Sequence, residues 1–400
     1  MFCRHCKNPL SHKFLDLGYA PPSNAYLSEE DLQKPELTFP LKLYVCDSCW
    51  LVQTQDFANA DEFFTKDYAY FSSTSTSWLT HAKHYCQSIT ARLNLTAQSH
   101  VVELASNDGY LLKNFVKAGI PCLGIEPTAS TAAAARKLGV TTLQEFFGVA
   151  LAQSLRAQGK EADLILGNNV YAHVPDINDF TKGIQILLKP QGVVTLEFPH
   201  LLELIKHVQF DTVYHEHYSY LSLGTVQKIF EKAGLRVWHV EKLTTHGGSL
   251  RVYGCNIDAA YECTRTVVDL LSEEHAFGMQ KLDIYNSFQL KADAVKNNAL
   301  AFLLEQKRLG KTVVAYGAAA KGNTLLNYAG IKPDLLPFVC DAAEAKQGKY
   351  MPGSHIPILS PSYLHQSHVD FIWILPWNIS KEIVNQLSET NKHFKFYINR

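Results

Sequence analysis

One short stretch of the sequence concentrates side chains that hold or transfer protons. Residues 210–222 read FDTVYHEHYSYLS, so that Tyr214, His215, Glu216 and His217 are consecutive. Imidazole and carboxyl groups act as general bases and acids when their surroundings tune their pKa. The chain has 17 histidines and 19 tyrosines, and most single ones are structural. A cluster in a loop after the fifth predicted strand of a sheet instead indicates proton-transfer chemistry.

A second chemical pattern lies near the N-terminus, where two Cys-x2-Cys pairs occur. Each pair on a turn can hold one ion, and two pairs complete a tetrahedral shell for zinc. The gap between the pairs exceeds the roughly 15 to 20 residues typical of such sites, and accidental pairing is the weaker alternative. A closed four-sulfur shell predicts a structural zinc, with His5 as a bystander. The predicted ligands are Cys3, Cys6, Cys46 and Cys49.

The overall composition excludes several classes of protein. Of 400 residues, 46% are hydrophobic and 19% charged, with a formal net charge of −1, which is typical of a globular protein of two or three domains. No basic run predicts nucleic-acid binding, and no run of roughly 18 apolar residues predicts a membrane span. MFCRHCKNPL lacks the apolar region of a secretory signal, so the nine cysteines favour a cytoplasmic location. No obligate protein partner is indicated.

Strand and helix patterns divide the chain into sections that would position these groups. Residues 1–60 hold the cysteine pairs, and residues 61–265 alternate strand and helix patterns. A helical linker at 266–309 leads to residues 310–400, which repeat the alternation on a smaller scale. Repeated β-α units predict largely parallel sheets with helices on both faces. The predicted fold class is therefore α/β, with two Rossmann-like domains behind a small zinc module.

The first strand-turn-helix unit of the middle section has the layout of a cofactor site. In HVVELASNDGYLLKNFVKAGI, an apolar strand at 101–104 runs into a polar turn and then a helix. We expect Asn107 or Asp108 to cap this helix and Gly119 to end it. The turn lacks the G-x-G-x-x-G pattern with which backbone amides approach a pyrophosphate. A helix-capping turn without a ligand remains an alternative.

Two carboxylates at the carboxyl edge of the predicted sheet narrow the choice of cofactor. Glu103 ends the first strand and Glu126 the second, at the edge where ligands of doubly wound sheets bind. Glu126 follows Gly109 at a spacing near the roughly 20 residues at which an acid reaches ribose hydroxyls. This edge favours a cofactor with a ribose and a cationic centre but no phosphate, such as S-adenosylmethionine. The candidate cofactor residues are Glu103, Ala105, Ser106, Asn107, Gly109, Glu126 and Asn168.

The last section contains a similar unit in TVVAYGAAAKGNTLLNYAG. The small residues after Gly317 would let the backbone approach a ligand, and Lys321 would meet phosphate charge. The unit is not a P-loop, because G-x4-G-K-[ST] is absent. On these residues alone, a degenerate Rossmann turn that binds nothing is an equal alternative. Asp341 ends the next strand, where it would reach a ribose or a base.

Several motifs occur in one order and together resemble a known family. ELASNDG, GIEP, NNVYAHVPD, EFPH, FDTVYHEHYSYLS, THGGSLRVY and YGAAAKG follow the four-cysteine module. In that order they resemble the C-methyltransferases of deoxysugar biosynthesis, which methylate carbon 3 of TDP-linked 4-keto sugars. The resemblance covers nearly the whole chain. It implies a zinc module, a class I (Rossmann-like) methyltransferase domain and a C-terminal Rossmann-like domain that binds the nucleotide sugar.

The resemblance also implies roles for the opening stretch. Methylation beside a ketone needs a base for the α-proton and donors near the ketone oxygen, where charge develops. His217 looks like the base, and Glu216 would orient it or contact the sugar. Tyr214 and His173 would hold the sugar or stabilise the enolate. Tyr70 would reach in from the start of the section, with Tyr68 as its alternative, and His215 has no defined role. The predicted catalytic residues are His217, Glu216, Tyr214, His173 and Tyr70.

By the same resemblance, the turn of the C-terminal section would cradle the nucleotide diphosphate. Arg251 in THGGSLRVY would lie near a phosphate, although Gly247-Gly248 could equally form only a hairpin turn. The predicted substrate-binding residues are Gly317, Ala318, Lys321, Asn323, Arg251 and Asp341.

Together these features predict an S-adenosylmethionine-dependent C-methyltransferase acting on a nucleotide-linked 4-keto-6-deoxy sugar at C-3. A small-molecule or sugar O-methyltransferase is the nearest alternative, and it would exchange no carbon-bound proton. A nicotinamide-dependent oxidoreductase is disfavoured because neither turn carries G-x-G-x-x-G. A zinc ribbon that binds nucleic acid is disfavoured by the net charge. The sequence leaves open whether the nucleotide is TDP, GDP or CDP, and whether C-3 or C-5 is methylated.

Overall fold

Three β-sheets with packed helices organise the residues that this computed structural model describes, which are 1–55, 72–74, 76–390 and 394–399. The strands are β1 (His12–Ala20), β2 (Phe39–Val45), β3 (Val52–Thr54), β4 (Val101–Leu104), β5 (Cys122–Ile125), β6 (Thr142–Leu143), β7 (Ala162–Asn168), β8 (Leu188–Pro199), β9 (Ser219–Tyr220), β10 (Leu235–Leu243), β11 (Ser249–Asn256), β12 (Val313–Tyr316), β13 (Val339–Cys340), β14 (Ile358–Leu359), β15 (Phe371–Ile374) and β16 (Phe396–Tyr397). The α-helices are α1 (Thr76–Leu93), α2 (Leu112–Lys117), α3 (Ala129–Lys137), α4 (Val149–Ala157), α5 (Ile177–Leu187), α6 (Leu201–Lys206), α7 (Leu223–Ala233), α8 (Arg265–Phe277), α9 (Leu282–Asn286), α10 (Phe288–Arg308), α11 (Ala320–Ala329), α12 (Tyr363–Gln366) and α13 (Ser380–Thr390). Short 3-10 helices lie at Asp31–Gln33, Ser72–Thr74, Tyr171–His173, Phe210–Thr212, Thr245–Gly247, Glu344–Lys346 and Trp377–Ile379.

The two larger sheets are the Rossmann-like ones. The seven-stranded sheet has the order β10-β11-β8-β7-β4-β5-β6, in which the strands from β8 to β6 are parallel and β11 and β10 are antiparallel additions. The five-stranded sheet, β14-β13-β12-β15-β16, is wholly parallel. Fully buried runs such as the VVEL of β4 are typical of parallel strands covered on both faces. The structure thus confirms the predicted α/β fold class.

The N-terminal section shares its core with both larger sheets. Its antiparallel sheet, β1-β2-β3-β9, takes its last strand from within the stretch 210–222. Cys3 belongs to the same apolar cluster as Val102 of β4. On the other side, Phe14 of β1 stacks on Phe288 of α10 with ring centroids 4.6 Å apart. The N-terminal section is therefore packed between the two Rossmann-like sections and can reach a site that both share.

Helix α7 shows how local sequence fixes an element that flanks the site. The Ser222 hydroxyl accepts a hydrogen bond from the Thr225 amide, which satisfies one free N–H of the first turn. Gly234 ends the helix with a left-handed φ of 89°. The apolar face of the helix points inward, and the buried residues of that face include Val226, Ile229, Phe230 and Ala233.

Helix α2 corrects one local prediction. The helix begins at Leu112, and neither Asn107 nor Asp108 caps it. Their side chains instead accept hydrogen bonds from the backbone of Ser72, at 3.0 Å, and Ser73, at 3.1 Å. The capping prediction was wrong because the helix begins later than expected and a segment distant in sequence provides competing donors.

The described helices were also expected to include none that spans a membrane. Within the described ranges, no helix combines the length and the apolar character needed to cross a bilayer.

Candidate active site

His217 lies where the three sections meet, in the turn between Phe210–Thr212 and β9. Its ring centroid is 4.5 Å from that of His173 and 4.7 Å from that of Tyr214. The imidazole is also hydrogen-bonded to the backbone of Thr212. The structure therefore places two predicted catalytic residues, His173 and Tyr214, against the half-buried ring of a third, His217.

The electrostatic surroundings keep this group of imidazoles uncharged. Burial lowers the pKa of His217 well below its ordinary value, and nearby His173, His246 and Lys321 lower it further. Burial likewise lowers the pKa of His173 to about 4 and that of His246 to about 4. At pH 7 the rings are neutral, which is the form whose free ring nitrogen accepts a proton. His217 thus has the protonation state that a general base requires.

Glu216 is adjacent to the base in sequence but has a different partner. Its Oε1 accepts a hydrogen bond of 3.0 Å from Nδ2 of Asn24, and its Oε2 has no hydrogen-bond partner among the described residues. Burial raises the pKa of this carboxyl group. The predicted orienting contact between Glu216 and His217 is therefore absent, because Thr212 and not Glu216 holds the imidazole. The alternative role, a contact with the sugar, remains a prediction that the uncommitted oxygen favours.

The remaining residues of the predicted catalytic group fall into two classes. His215 Nε2 donates to the backbone carbonyl of Phe39 at 3.2 Å, and the two rings pack edge to face at 6.0 Å. This contact attaches the stretch to β2. Tyr70 and its alternative Tyr68 lie outside the described residues, and the role given to either stays a prediction.

The carboxyl ends of β4, β5 and β7 form the predicted cofactor edge. Here buried polar atoms lack partners among the residues described: Oε2 of Glu103, Oγ of Ser106, and both side-chain polar atoms of Asn168. Burial, Glu126 and Asp108 raise the pKa of Glu103 well above its ordinary value, a cost that a cationic ligand would offset. Buried polar groups in folded proteins are nearly always paired. This edge therefore fits a polar, cationic cofactor.

The turn at this edge is shaped by its backbone. Ala105, Asn107 and Gly109 have positive φ of 55°, 49° and 76°. A Cβ on Gly109 would lie 3.1 Å from Ala135, so this position favours glycine for space as well as for conformation. Glu126 braces the turn by accepting from the Asn107 amide at 2.9 Å. The acid predicted to reach a ribose therefore also holds the turn in place.

His246 connects the cofactor edge with the base. Its Nε2 lies 3.2 Å from Nδ2 of Asn169, which follows β7. Its ring packs against Trp78 with centroids 5.4 Å apart. Because His246 also lowers the pKa of His217, the two imidazoles are close enough to interact electrostatically. His246 thus links His217, the predicted base, with the predicted cofactor edge.

Arg251 occupies a different environment from the one predicted. This buried residue of β11 donates to Oε2 of Glu197 at 2.6 Å and to Oε2 of Glu241 at 3.3 Å. Glu197 also binds His81 at 3.0 Å. Since the guanidinium charge is balanced inside the protein, the predicted phosphate contact has no support from this position. Arg251 instead joins β11 to β8 and α1.

The turn after β12 is held in place by side chains from other parts of the chain. The Ala318 amide donates to Oδ2 of Asp341 at 2.7 Å, while the Ala318 carbonyl accepts from Tyr26 at 2.6 Å and Lys346 at 2.8 Å. Gly317 has a φ of 92° and packs so tightly on Pro376 that a Cβ would lie 2.4 Å from that ring. The backbone of this turn is therefore fixed in a conformation that only glycine adopts readily.

Two further predicted substrate residues follow this turn in α11. Lys321 Nζ donates to Oδ1 of Asn378 at 2.9 Å and lies 4.4 Å from the ring centroid of Trp377. Asn323 is fully buried and donates to the Ser23 carbonyl at 2.6 Å. Lys321 thus faces the site between the sections, whereas Asn323 ties α11 to the N-terminal section, so the sugar contact predicted for Asn323 gains no support.

The four predicted metal ligands converge on one point. Their sulfur atoms all lie within 4.8 Å of one another, and both Cys3–Cys49 and Cys6–Cys46 are separated by 3.5 Å. Tetrahedral zinc with bonds of about 2.3 Å places sulfurs about 3.8 Å apart, so the arrangement fits zinc. His5 binds Asn178 through Nδ1 at 2.8 Å, in agreement with its predicted role as a bystander.

Comparison with known proteins matches this geometry. Residues 3–64 match a putative zinc binding domain, residues 78–240 a methyltransferase domain, and residues 244–398 a C-methyltransferase C-terminal domain. The chain is 34% identical to the C-methyltransferase NovU of Streptomyces niveus, over 97% of this chain and 92% of NovU. This chain belongs to the C-methyltransferase family.

Solved structures of other methyltransferases are similar to about half of this chain. Magnesium protoporphyrin IX methyltransferase (ChlM) from Synechocystis PCC 6803 is 15% identical, over 44% of this chain and 83% of its own, with a TM-score of 0.36. The 1,6-didemethyltoxoflavin-N1-methyltransferase of Burkholderia thailandensis is 14% identical, over 52% and 96%, with a TM-score of 0.38.

The family membership identifies the two cofactors of the protein. The protein is an S-adenosylmethionine-dependent C-methyltransferase with a zinc-binding module. The zinc fits the closed four-sulfur cluster, and S-adenosylmethionine fits the edge with the unpaired polar atoms of Glu103, Ser106 and Asn168.

Sequence reasoning missed several residues of the site, some inside the recognised motifs and some outside them. Asn24, which holds Glu216, lies in a segment without any motif, and no local signal could have found it. Asn169 and His246 lie inside NNVYAHVPD and THGGSLRVY, so closer attention to those motifs could have identified them. Trp377, which lies under Lys321, belongs to the WN that follows β15.

Proposed function

We propose that this C-methyltransferase acts on a nucleotide-linked 4-keto-6-deoxy sugar and adds the methyl group at C-3 through an enolate. The observation that carries the proposal is the neutral imidazole of His217, enclosed by His173 and Tyr214 where the three sections meet. The C–H group next to a ketone is a weak acid, so removing its proton needs a positioned base. An imidazole can act as that base only while it is uncharged. An N- or O-methyltransferase has no such requirement for a carbon-bound proton.

The cofactor residues would define one half of the site. We assign binding of S-adenosylmethionine to the edge that carries Glu103, Glu126 and Asn168, with the turn from Ala105 to Gly109 beside it. When bound, S-adenosylmethionine supplies an electrophilic methyl group attached to a sulfonium. Glu103 would balance positive charge there, and Glu126 would accept from ribose hydroxyls in addition to bracing the turn.

The sugar would occupy the other half, between the methyltransferase and C-terminal sections. The turn from Gly317 to Ala318 would take the nucleotide part, as in the resemblance drawn from the sequence. Tyr214 and His173 would contact the sugar ring, and the unpaired Oε2 of Glu216 would accept a hydrogen bond from a sugar hydroxyl or amino group. This division assigns the nucleotide to residues 310–400 and the cofactor to residues 61–265.

Substrate charge would also tune the base. Lys321 and the imidazoles of His173 and His246 lower the pKa of His217. A bound diphosphate would bring negative charge into the same region, and that charge raises the pKa of a nearby imidazole. Binding would thus make His217 a stronger base when a substrate is present.

The first experiment is proton exchange in D2O with TDP-, GDP- and CDP-linked 4-keto-6-deoxy sugars, first without and then with S-adenosylmethionine. We expect enzyme-dependent loss of the C-3 proton signal, followed by a new methyl signal at C-3 in the NMR spectrum. Exchange and methylation at C-5 would overturn the position but keep the enolate route. Methylation of an oxygen without exchange of any ring proton would overturn the proposal.

A further inference from the structure

Lys321 is a cation that the C-terminal section directs toward the base of the methyltransferase section. It lies in the first turn of α11, and its ammonium group is 2.9 Å from Oδ1 of Asn378 and 4.4 Å from the centroid of the Trp377 ring. A cation above an indole face is held by the charge distribution of the ring. The amide oxygen on the other contact fixes its direction, so the ammonium occupies a defined position.

The platform beneath Lys321 is anchored to the segment that carries the base. Trp377 Nε1 donates to Oδ2 of Asp211 at 2.6 Å, and Asp211 lies in the 3-10 helix just before His217. The same indole packs against Gly247, where a Cβ would lie 2.4 Å from its ring. Gly247 adjoins His246, the neighbour of the base. The cation is thus linked by direct contacts to both sides of the imidazole cluster.

The charges around His217 agree with this placement. Lys321 lowers the pKa of His217 and that of His246, so its charge is felt at both rings. The neighbouring lysine of the same section has other contacts: Lys346 binds the Ala318 carbonyl and lies 3.6 Å from Asp341. The two lysines therefore act at different positions. Lys346 contacts the turn after β12, and the charge of Lys321 acts on His217.

We propose that Lys321 is a catalytic residue that stabilises the oxyanion formed on the sugar ketone, rather than a contact to the diphosphate. The inference rests on the proposed function. When His217 takes the C-3 proton, the electron pair of the C–H bond becomes the C-3–C-4 double bond. The carbonyl pair then moves onto the ketone oxygen, where negative charge appears. An ammonium group held at that oxygen lowers the energy of this step, because it is in place before the charge develops.

The test measures proton exchange in D2O without S-adenosylmethionine, using the nucleotide sugar that the wild-type enzyme exchanges. The variants are Lys321→Met, which keeps the length of the side chain over Trp377, and Lys321→Arg, which keeps the charge. Lys381→Met, an exposed lysine of α13, is the matched control. Affinity for the corresponding nucleoside diphosphate alone is measured by calorimetry, and thermal unfolding verifies that each variant is folded.

We expect Lys321→Met to lower the exchange rate about 100- to 1,000-fold, the range observed for loss of one preorganised oxyanion donor. Nucleoside diphosphate affinity should stay at the wild-type value, and Lys321→Arg should recover part of the exchange. In Lys321→Met the pH profile of the residual exchange should move its acid limb to higher pH, because the cation no longer lowers the pKa of His217. A change confined to packing would not shift that limb.

The contrary results are equally distinct. Lost diphosphate affinity with normal exchange at saturating substrate would overturn the inference and return Lys321 to the diphosphate. Normal exchange and normal affinity would overturn it as well. If the wild-type enzyme itself exchanges no ring proton of any of the three ketosugars, the proposed function fails together with the inference.

Discussion

The cysteine cluster and the histidine cluster of this protein are built alike and behave differently. Each gathers four side chains with metal-binding or proton-binding atoms from separated parts of the chain. Around the zinc, Cys3, Cys6, Cys46 and Cys49 direct every sulfur to one point. The histidine cluster is formed by His173, Tyr214, His217 and His246. The rings of His173 and Tyr214 pack against that of His217, and His246 is close enough to lower its pKa.

The difference lies in which atoms are left for a ligand. A closed sulfur shell uses all its donors on the ion, so its contribution is to folding. The histidine cluster keeps neutral imidazoles, and beside it Oε2 of Glu216 is unpaired among the residues described. Such buried, uncommitted groups cost stability and are retained where they bind a substrate. Breaking the first cluster should therefore unfold the protein, and breaking the second should stop the reaction.

The largest expected effect is from Cys46→Ser. Structural zinc contributes roughly 10 kcal/mol or more to the folding of small zinc modules, so a shell that lacks one sulfur should release the metal. Because the cluster packs in the same core as β4, we expect loss of zinc by elemental analysis and a lower Tm. Cys263→Ser, at an exposed cysteine, is the control. Full zinc content and an unchanged Tm in Cys46→Ser would contradict a structural role for the metal.

His217→Ala should separate activity from stability. We expect proton exchange and methyl transfer to fall about 100- to 10,000-fold, the usual contribution of a general base. Cofactor binding, measured by calorimetry with S-adenosylmethionine, should be retained, because His217 is not at the cofactor edge. His368→Ala replaces an exposed histidine and serves as the control. Retained turnover with lost cofactor binding would remove His217 from the role of base.

Acid should destabilise the histidine cluster within a defined pH window. The unfolded chain protonates its histidines below about pH 6.5, whereas folding lowers the pKa of His173 to about 4 and of His246 to about 4. Between these values the unfolded state binds more protons, so the free energy of unfolding falls as the pH falls.

Urea unfolding at pH 7.5 and pH 5 measures this effect. Each of the two histidines should remove roughly 2 kcal/mol between pH 6.5 and pH 5. His173→Asn should weaken the dependence by its own share. An identical pH dependence in the variant would show that His173 does not titrate with a lowered pKa.

The smallest expected effect concerns the hydrogen bond from Asn24 of the N-terminal section to Glu216 beside the histidine cluster. Asn24→Leu removes a hydrogen bond that lowers the pKa of Glu216, so the pKa of this carboxyl should rise further. We expect a loss of about 1 kcal/mol in substrate affinity, seen in KM more than in kcat, and a shift of the pH profile of kcat/KM to higher pH. Asn24→Gln, which can still donate, should recover part of both. Unchanged KM and pH profile in Asn24→Leu would exclude this positioning role.

Much of the fold followed from local patterns. Alternating strands and helices predicted both largely parallel sheets, because strand and helix patterns are set by neighbouring residues. Errors arose where a distant segment intervened. The cap predicted at Asn107 and Asp108 failed because Ser72 and Ser73 supply competing amides.

The site was predicted in the same uneven way. The group of His173, Tyr214 and His217 was expected from a resemblance in motif order, and the structure does bring the three together. The pairing of Glu216 with His217 was not found, and Arg251 proved to be paired inside the protein. Charged side chains choose partners across the fold, and their spacing along the chain does not report that choice.

The sequence by itself determined the zinc shell, because each Cys-x2-Cys turn fixes two ligands locally and two such pairs supply the four ligands of one tetrahedral ion. It also determined the two Rossmann-like units, whose strand and helix patterns are local. Only the tertiary structure decided that Asn24 holds Glu216, that Trp377 positions Lys321, and that three imidazoles lie together uncharged. Such contacts depend on how separate sections pack, because burial and electrostatic neighbours, which set pKa values and partners, exist only after the chain has folded.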